Sequence, residues 1–187
     1  MSSSAVIPSE TTTLQNLQTA FTGESNAHVR YMAFAKKADE EGYCQIASLL
    51  RAAARAEQIH AASHANVITK MGGKAQAEIQ PPVVNSTREN LAVAISGEEY
   101  ERDVMYPGFI KQAEAQKNSL AVRTFNRALK AEAEHARLYK EGLAHLEQMK
   151  TKTAYYVCAI CGYTVEKLTF DRCPVCKNPK EKFERID

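Results

Sequence analysis

The tightest constraint on this chain is a set of glutamates placed where a helix should be apolar. Apolar and small residues recur at steps of three and four through most of the first 150 residues, which is the signature of amphipathic helices. The spacing predicts a helix over 11–41, with the stripe Leu14, Leu17, Phe21, Glu24, His28, Tyr31, Ala35 and Ala38. A second covers 44–71, with Ile46, Leu50, Ala53, Glu57, His60, His64, Val67 and Met71. A third begins after Asn85-Ser86, a plain capping signal, and carries Leu91, Ala94, Glu98, Glu101 and Met105. Pro107 is expected to kink it or end its first segment. The fourth covers 118–150, with Ala121, Phe125, Ala128, Glu132, His135, Tyr139, Gly142 and Leu146. Each seam therefore holds a glutamate part-way along. Buried glutamates are rare unless paired or bound to a cation, because an uncompensated charge in an apolar core is very costly.

Two of these glutamates are followed three residues later by histidine, as Glu57-x-x-His60 and Glu132-x-x-His135. At that spacing both side chains lie on one helix face. One Glu from each of two helices plus Glu-x-x-His from each of the other two is the ligand pattern of di-iron carboxylate bundles. The loops agree with such a bundle. The first two helices turn at Glu41-Gly42-Tyr43, and the last two are also closely joined, so each pair is an antiparallel hairpin. Residues 72–85 separate the pairs. Fourteen extended residues reach about 46–50 Å, just enough to run along a helix about 42 Å long. The predicted architecture is an all-α four-helix bundle of ferritin-like type, two hairpins joined by one long crossover.

An internal repeat relates the hairpins. Thr22-Gly23-Glu24 matches Ser96-Gly97-Glu98 at an offset of 74, and Arg55-Ala56-Glu57-x-x-His60-Ala61 matches Lys130-Ala131-Glu132-x-x-His135-Ala136 at an offset of 75. A pseudo-twofold axis of this kind places two equivalent metal ions on either side of it. Glu101 breaks the symmetry, since its counterpart is Ala27. It offers one metal a choice between Glu101 and His60. Carboxylates with two imidazoles suit Fe or Mn better than structural zinc, and point to dioxygen or peroxide chemistry. His28 and His64 have no histidine counterpart in the other hairpin and read as satisfied side chains. Cys44 reads as a packed thiol. Tyr31 and Tyr106 are spaced to reach ligand carboxylates or to pack in the core.

From about residue 151 the composition changes to Tyr, Thr, Cys, Pro and Phe. We place a domain boundary there, giving units 1–150 and 151–187. Cys158-x-x-Cys161 and Cys173-x-x-Cys176 are two thiolate knuckles that make a tetrahedral sulfur site for Zn or a single Fe. Gly162 lets the first knuckle turn; Lys177 stands at the equivalent place in the second. Tyr155, Tyr156, Tyr163, Phe170 and Phe183 are expected to form a small aromatic core. So short a unit needs its metal to hold a β/loop fold. A formal net charge of +2 gives no reason to expect nucleic acid as partner. The longest apolar run, residues 154–161, is far short of a membrane span. Residues 1–10 lack a secretory pattern, and we expect a cytoplasmic protein.

These pieces together resemble the rubrerythrin family over essentially the whole chain. The resemblance rests on Gly23-Glu24, Ala56-Glu57-x-x-His60, Gly97-Glu98-x-x-Glu101 with Met105-Tyr106-Pro107, Ala131-Glu132-x-x-His135, Cys158-x-x-Cys161-Gly162-Tyr163 and Cys173-Pro174-x-Cys176. It implies a ferritin-like di-iron bundle joined to a rubredoxin-like domain holding one iron. It also implies a peroxidase that reduces hydrogen peroxide to water, with electrons from NAD(P)H through a separate reductase or rubredoxin. The resemblance implies a homodimer or larger assembly, in which the thiolate iron of one subunit lies near the di-iron centre of another. By position, Glu24, Glu57, Glu98, Glu132 and His135 are permanent ligands, with Glu57 and Glu132 bridging. His60 and Glu101 are the exchanging pair, and Tyr31 and Tyr106 support the ligands. Two rival readings are an iron-oxidising or storage bundle using dioxygen, and a helical adaptor with a zinc-ribbon tail.

Overall fold

The structure, a computed structural model, describes residues 12–187. Residue 11, the expected start of the first helix, lies outside them. Helix α1 spans Thr13–Glu40 and begins with a capping box, in which Thr12 and Gln15 satisfy each other's free backbone N–H groups. Helix α2 spans Cys44–Lys70. The turn between them uses Gly42 at φ +81°, the left-handed C-terminal residue that glycine adopts without strain. The chain then crosses over in extended form to α3, Thr87–Tyr100, capped by Ser86 with Glu89. Helix α5 spans Ser119–Ala144, with Asn118 as its cap.

The third helix departs from expectation in an informative way. The break falls before Pro107, in a π-helical turn over Glu101–Met105, and α4 (Tyr106–Ala115) starts with Pro107 in its first turn. There the proline's missing N–H breaks no bond, so it begins a segment instead of kinking one. The π turn takes up one extra residue. Seven residues separate Glu24 from Tyr31, whereas eight separate Glu98 from Tyr106. The repeat offset therefore steps from 74 to 75, and the wider turn absorbs the insertion while keeping both ends in register with the first hairpin.

The fourth helix is shorter than the spacing predicts. After Ala144 the chain tightens into a 3-10 turn, Leu146–Gln148, which buries Leu146 in the core. The Met149 carbonyl then accepts the Gln45 backbone N–H, satisfying one free donor at the start of α2.

The bundle core forms two apolar blocks. One contains Tyr31, Phe34, Ile46, Leu49, Leu50, Leu91, Leu138 and Tyr139; the other contains Leu17, Val67, Ile68, Tyr106 and Phe125. The seam glutamates and histidines lie between these blocks along every helix. A three-stranded antiparallel sheet follows, ordered β2-β1-β3, with β1 at Tyr155–Cys158, β2 at Thr164–Val165 and β3 at Phe183–Ile186. The expected aromatic core is only partly realised. Phe170 and Phe183 pair at 5.4 Å, but Tyr155 and Val157 face outward from the sheet and pack into the bundle. Arg55 forks onto Glu184 at 2.7 and 2.9 Å, and Arg51 donates to the Asp187 carbonyl at 2.7 Å. No helix among the described residues is long and apolar enough to cross a membrane.

Phe125 is fully buried, with ring centroids of Phe109 at 5.5 Å, His64 at 5.4 Å and Tyr106 at 5.9 Å. Phe125→Ala is expected to destabilise the metal-free protein by about 3–5 kcal/mol in denaturant unfolding. A loss below about 1 kcal/mol would contradict this packing.

Candidate metal centres

The six ligand candidates read from the repeat converge. Glu24 from α1, Glu57 and His60 from α2, Glu98 from α3, and Glu132 and His135 from α5 are all at most 3% exposed. Their ligand atoms form two quartets, each within 4.8 Å: Glu24, Glu57, His60 and Glu132, then Glu57, Glu98, Glu132 and His135. Glu57 and Glu132 belong to both. His60 Nδ1 lies 2.9 Å from Glu57 Oε2 and 3.0 Å from Glu132 Oε1. His135 Nδ1 lies 3.2 Å from Glu57 Oε1 and 3.0 Å from Glu132 Oε2. Each shared carboxylate thus turns one oxygen toward each histidine, the arrangement that spans two cations. Glu24 and Glu98 close the two ends, at 3.7 Å from His60 and His135 respectively.

The electrostatics call for those cations. Burial and the neighbouring Glu57, Glu101 and Glu132 charges hold the Glu24 carboxyl well above the usual carboxylate range. Burial, with Glu57 adding to it, pushes Glu98 up to about 7. Burial pulls both histidines down, yet the facing carboxylates outweigh it and hold His60 and His135 well above the ordinary imidazole value. Glu24 Oε2, Glu57 Oε1, Glu98 Oε2, both Glu132 oxygens and His135 Nδ1 have no hydrogen-bond partner among the described residues. Six such polar atoms facing one buried layer fit metal ligation. Four carboxylates also match the charge of two divalent ions.

Two tyrosines brace the cluster across the pseudo-twofold. Tyr31 donates to Glu98 Oε1 at 2.7 Å, and Tyr106 donates to Glu24. The halves then diverge. His64 Nε2 lies 3.1 Å from the Tyr106 hydroxyl, and its Nδ1 lies 3.2 Å from Thr124 Oγ1. Burial pushes His64 down to about 3, which keeps it neutral. At the repeat offset its counterpart is Tyr139, whose ring meets Tyr31 edge-on at 5.6 Å and whose hydroxyl has no partner among the described residues. His28 is satisfied by the Ala54 carbonyl at 2.7 Å. Glu101 belongs to neither quartet. It is only partly exposed, at the start of the π turn, where its Oε1 would lie 4.0 Å from a β-carbon at Gly23. Burial and the charges of Glu98, Glu132 and Glu57 push its carboxyl well above the usual range, so it feels the cluster without joining it.

The four tail cysteines also converge. Cys158, Cys161, Cys173 and Cys176 place their sulfurs within 4.8 Å of one another, with Cys158–Cys176 and Cys161–Cys173 both at 3.6 Å. A disulfide needs about 2.05 Å. Metal–sulfur bonds of about 2.3 Å in a tetrahedron put sulfurs about 3.8 Å apart, so the set fits a single ion. Both knuckles turn through left-handed residues, Gly162 at φ +76° and Lys177 at φ +62°. Lys177 is held there by bonds from its own N–H to the Cys173 carbonyl and from its Nζ to the Pro174 carbonyl. Cys44 is free and stands apart from this group.

The two centres touch within one chain. The Cys161 carbonyl lies 3.1 Å from His60 Nε2, and Thr164 Oγ1 lies 3.1 Å from His135 Nε2. The resemblance implies that this approach is made between subunits; here the chain's own tail makes it. Thr164 carries no motif, and nothing in the sequence signals this contact. The sequence assigns Gly162 only the turn of the knuckle. A β-carbon there would sit 2.2 Å from His60 Nε2, so only glycine permits the contact. Gly162→Ala is expected to lift the tail from the bundle and speed amide exchange in β1 and β2. Unchanged protection there would contradict the packing.

Comparison with known proteins agrees with this geometry. The rubrerythrin family model matches residues 15–143, and the model for the rubrerythrin rubredoxin-like domain matches residues 156–184. Nigerythrin of Nitratidesulfovibrio vulgaris is 40% identical over 172 residues, covering 91% of this chain and 85% of that one. Rubrerythrin-2 of Clostridium acetobutylicum is 36% identical, covering 90% and 93%. A solved structure of fully reduced, all-ferrous nigerythrin superposes with a TM-score of 0.87 at 37% identity, over 99% of this chain and 91% of that one. A bacterioferritin of Desulfovibrio desulfuricans, with a TM-score of 0.68 at 22% identity, shares the bundle fold. The chain belongs to the rubrerythrin family, with that family's di-iron centre in its bundle and a rubredoxin-like centre in its tail.

Proposed function

We propose that this protein is a peroxidase that reduces hydrogen peroxide to two water molecules, consuming two electrons and two protons. The observation that carries the reading is the direct contact between the two metal-ligand sets, through His60 and the Cys161 carbonyl at 3.1 Å. A storage bundle has no use for a thiolate centre pressed against its oxidation site. Bound iron supplies Lewis acidity and electrons in the bundle and a one-electron store in the tail. Everything else falls to the chain. Glu57 and Glu132 would be shared by the two ions, while Glu24, Glu98 and His135 would hold the ends. Tyr106 and Tyr31 fix Glu24 and Glu98 by donating to them, which leaves those carboxylates one orientation. The apolar blocks on either side exclude water from the layer.

His60 and Glu101 are the exchanging pair in this reading. What supports it is their present placement: His60 sits inside a quartet and Glu101 just outside both. The π turn gives Glu101 a wider helical turn in which to swing, and Gly23 leaves space opposite it. A carboxylate that enters and leaves the cluster can carry a proton as it moves. Electrons enter through the tail from a reductase drawing on NAD(P)H or from a rubredoxin. The working form is a cytoplasmic homodimer or larger homo-oligomer in oxidative-stress defence.

Glu101→Ala is expected to lower kcat for peroxide by about 100-fold, the scale of a lost acid–base group, with iron content per chain unchanged. Loss of the bundle iron in that variant, or full turnover without Glu101, would overturn the exchange. The activity itself is tested by mixing anaerobically reduced protein with hydrogen peroxide. Rapid oxidation of both centres is expected; oxidation by dioxygen but not by peroxide would overturn the reading.

A further inference from the structure

We infer that Thr164, in the tail, is a positioning residue for the bundle's metal centre: its hydroxyl accepts the outer N–H of His135 and fixes which ring nitrogen faces the carboxylates. A threonine hydroxyl has one hydrogen. That hydrogen is donated to the Gly162 carbonyl at 3.0 Å. Toward His135 Nε2, at 3.1 Å, Thr164 Oγ1 can therefore only accept. His135 must carry a hydrogen on Nε2. In a neutral ring this leaves the lone pair on Nδ1, the atom 3.0–3.7 Å from Glu132, Glu57 and Glu98. A histidine that binds a metal through one nitrogen commonly has its other N–H fixed by such an acceptor.

The same logic holds on the other side of the pseudo-twofold. The Cys161 carbonyl, which can only accept, faces His60 Nε2 and leaves His60 Nδ1 for the carboxylates. Residues 158–164 thus receive the outer N–H of both imidazoles. Thr164 and both rings are at most 3% exposed, so no solvent replaces these acceptors. The tail is then a structural part of the bundle centre as well as its electron source. The inference rests on His135 being a metal ligand, and it does not depend on peroxide being the oxidant.

Thr164→Val tests it, because valine keeps the shape and suits the strand that pairs Thr164 with Val157. The probe is Zn2+ alone, loaded into the bundle and followed by 15N NMR of the imidazoles and by chelator competition. The wild type and Thr164→Ser are expected to show His135 bound through Nδ1, with a slowly exchanging Nε2–H. In Thr164→Val that proton should lose its protection, and Zn2+ affinity in the bundle should fall by about 10–100-fold. The four thiolates should keep their own ion. Thr164→Ala, which removes the acceptor without adding apolar bulk, should behave in the same way. Retained protection and affinity in both the Val and Ala variants would overturn the role of Thr164 alone. A wild-type His135 not bound through Nδ1 would overturn the ligand assignment and this inference with it.

Discussion

The structure is organised around one electrostatic constraint: four carboxylates and two imidazoles share a buried layer between two apolar blocks. The protein's own His–Glu pairs satisfy only part of this set. The carboxyl groups of Glu24 and Glu98 are held above their usual range, and six polar atoms of the cluster have no hydrogen-bond partner among the described residues. Glu57 and Glu132, shared by both quartets, are placed so that two cations between them would remove the repulsion and use the unpaired atoms. The four-helix frame is the simplest scaffold that delivers one carboxylate from each direction. The two hairpins, related by the repeat, deliver them in matched pairs.

The tail extends that layer outward. It docks through Tyr155 and Val157 in the bundle core, the Arg55–Glu184 fork, and the knuckle that meets His60 and His135. Gly162 makes the approach possible by having no β-carbon where His60 stands. Two chemically different metal sites are therefore separated by one carbonyl and one imidazole. This juxtaposition favours an electron-transfer enzyme over a storage bundle or an adaptor with a structural tail.

The helices and the convergence of the six seam glutamates and histidines were legible because both rest on periodicity. A seam glutamate repeats with the helix and a Glu-x-x-His repeats with the hairpin, so position in sequence is position in space. The four cysteines were legible for a similar reason, since knuckle spacing is local. What the sequence concealed depends on tertiary contact. Thr164 meets His135 only because the sheet docks, and nothing near residue 164 announces it. Tyr155 looks like part of a small aromatic core until the bundle offers a larger one. The π turn was signalled by the offset stepping from 74 to 75, but a one-residue step shows an insertion without showing the turn that absorbs it. His64 lacked a histidine counterpart because its partner across the repeat is Tyr139, a different residue type doing a different job.

The central claim, that one chain holds a di-iron centre in contact with a thiolate iron, is tested most directly by iron content per chain with the visible spectrum of protein from iron-replete cells. The account predicts about three irons per chain, two in the carboxylate layer and one on the thiolates, with thiolate-to-iron absorption that bleaches on reduction and returns as peroxide is consumed. A bundle that takes up no iron on reconstitution, or a tail filled only with zinc and silent in the visible, would contradict it.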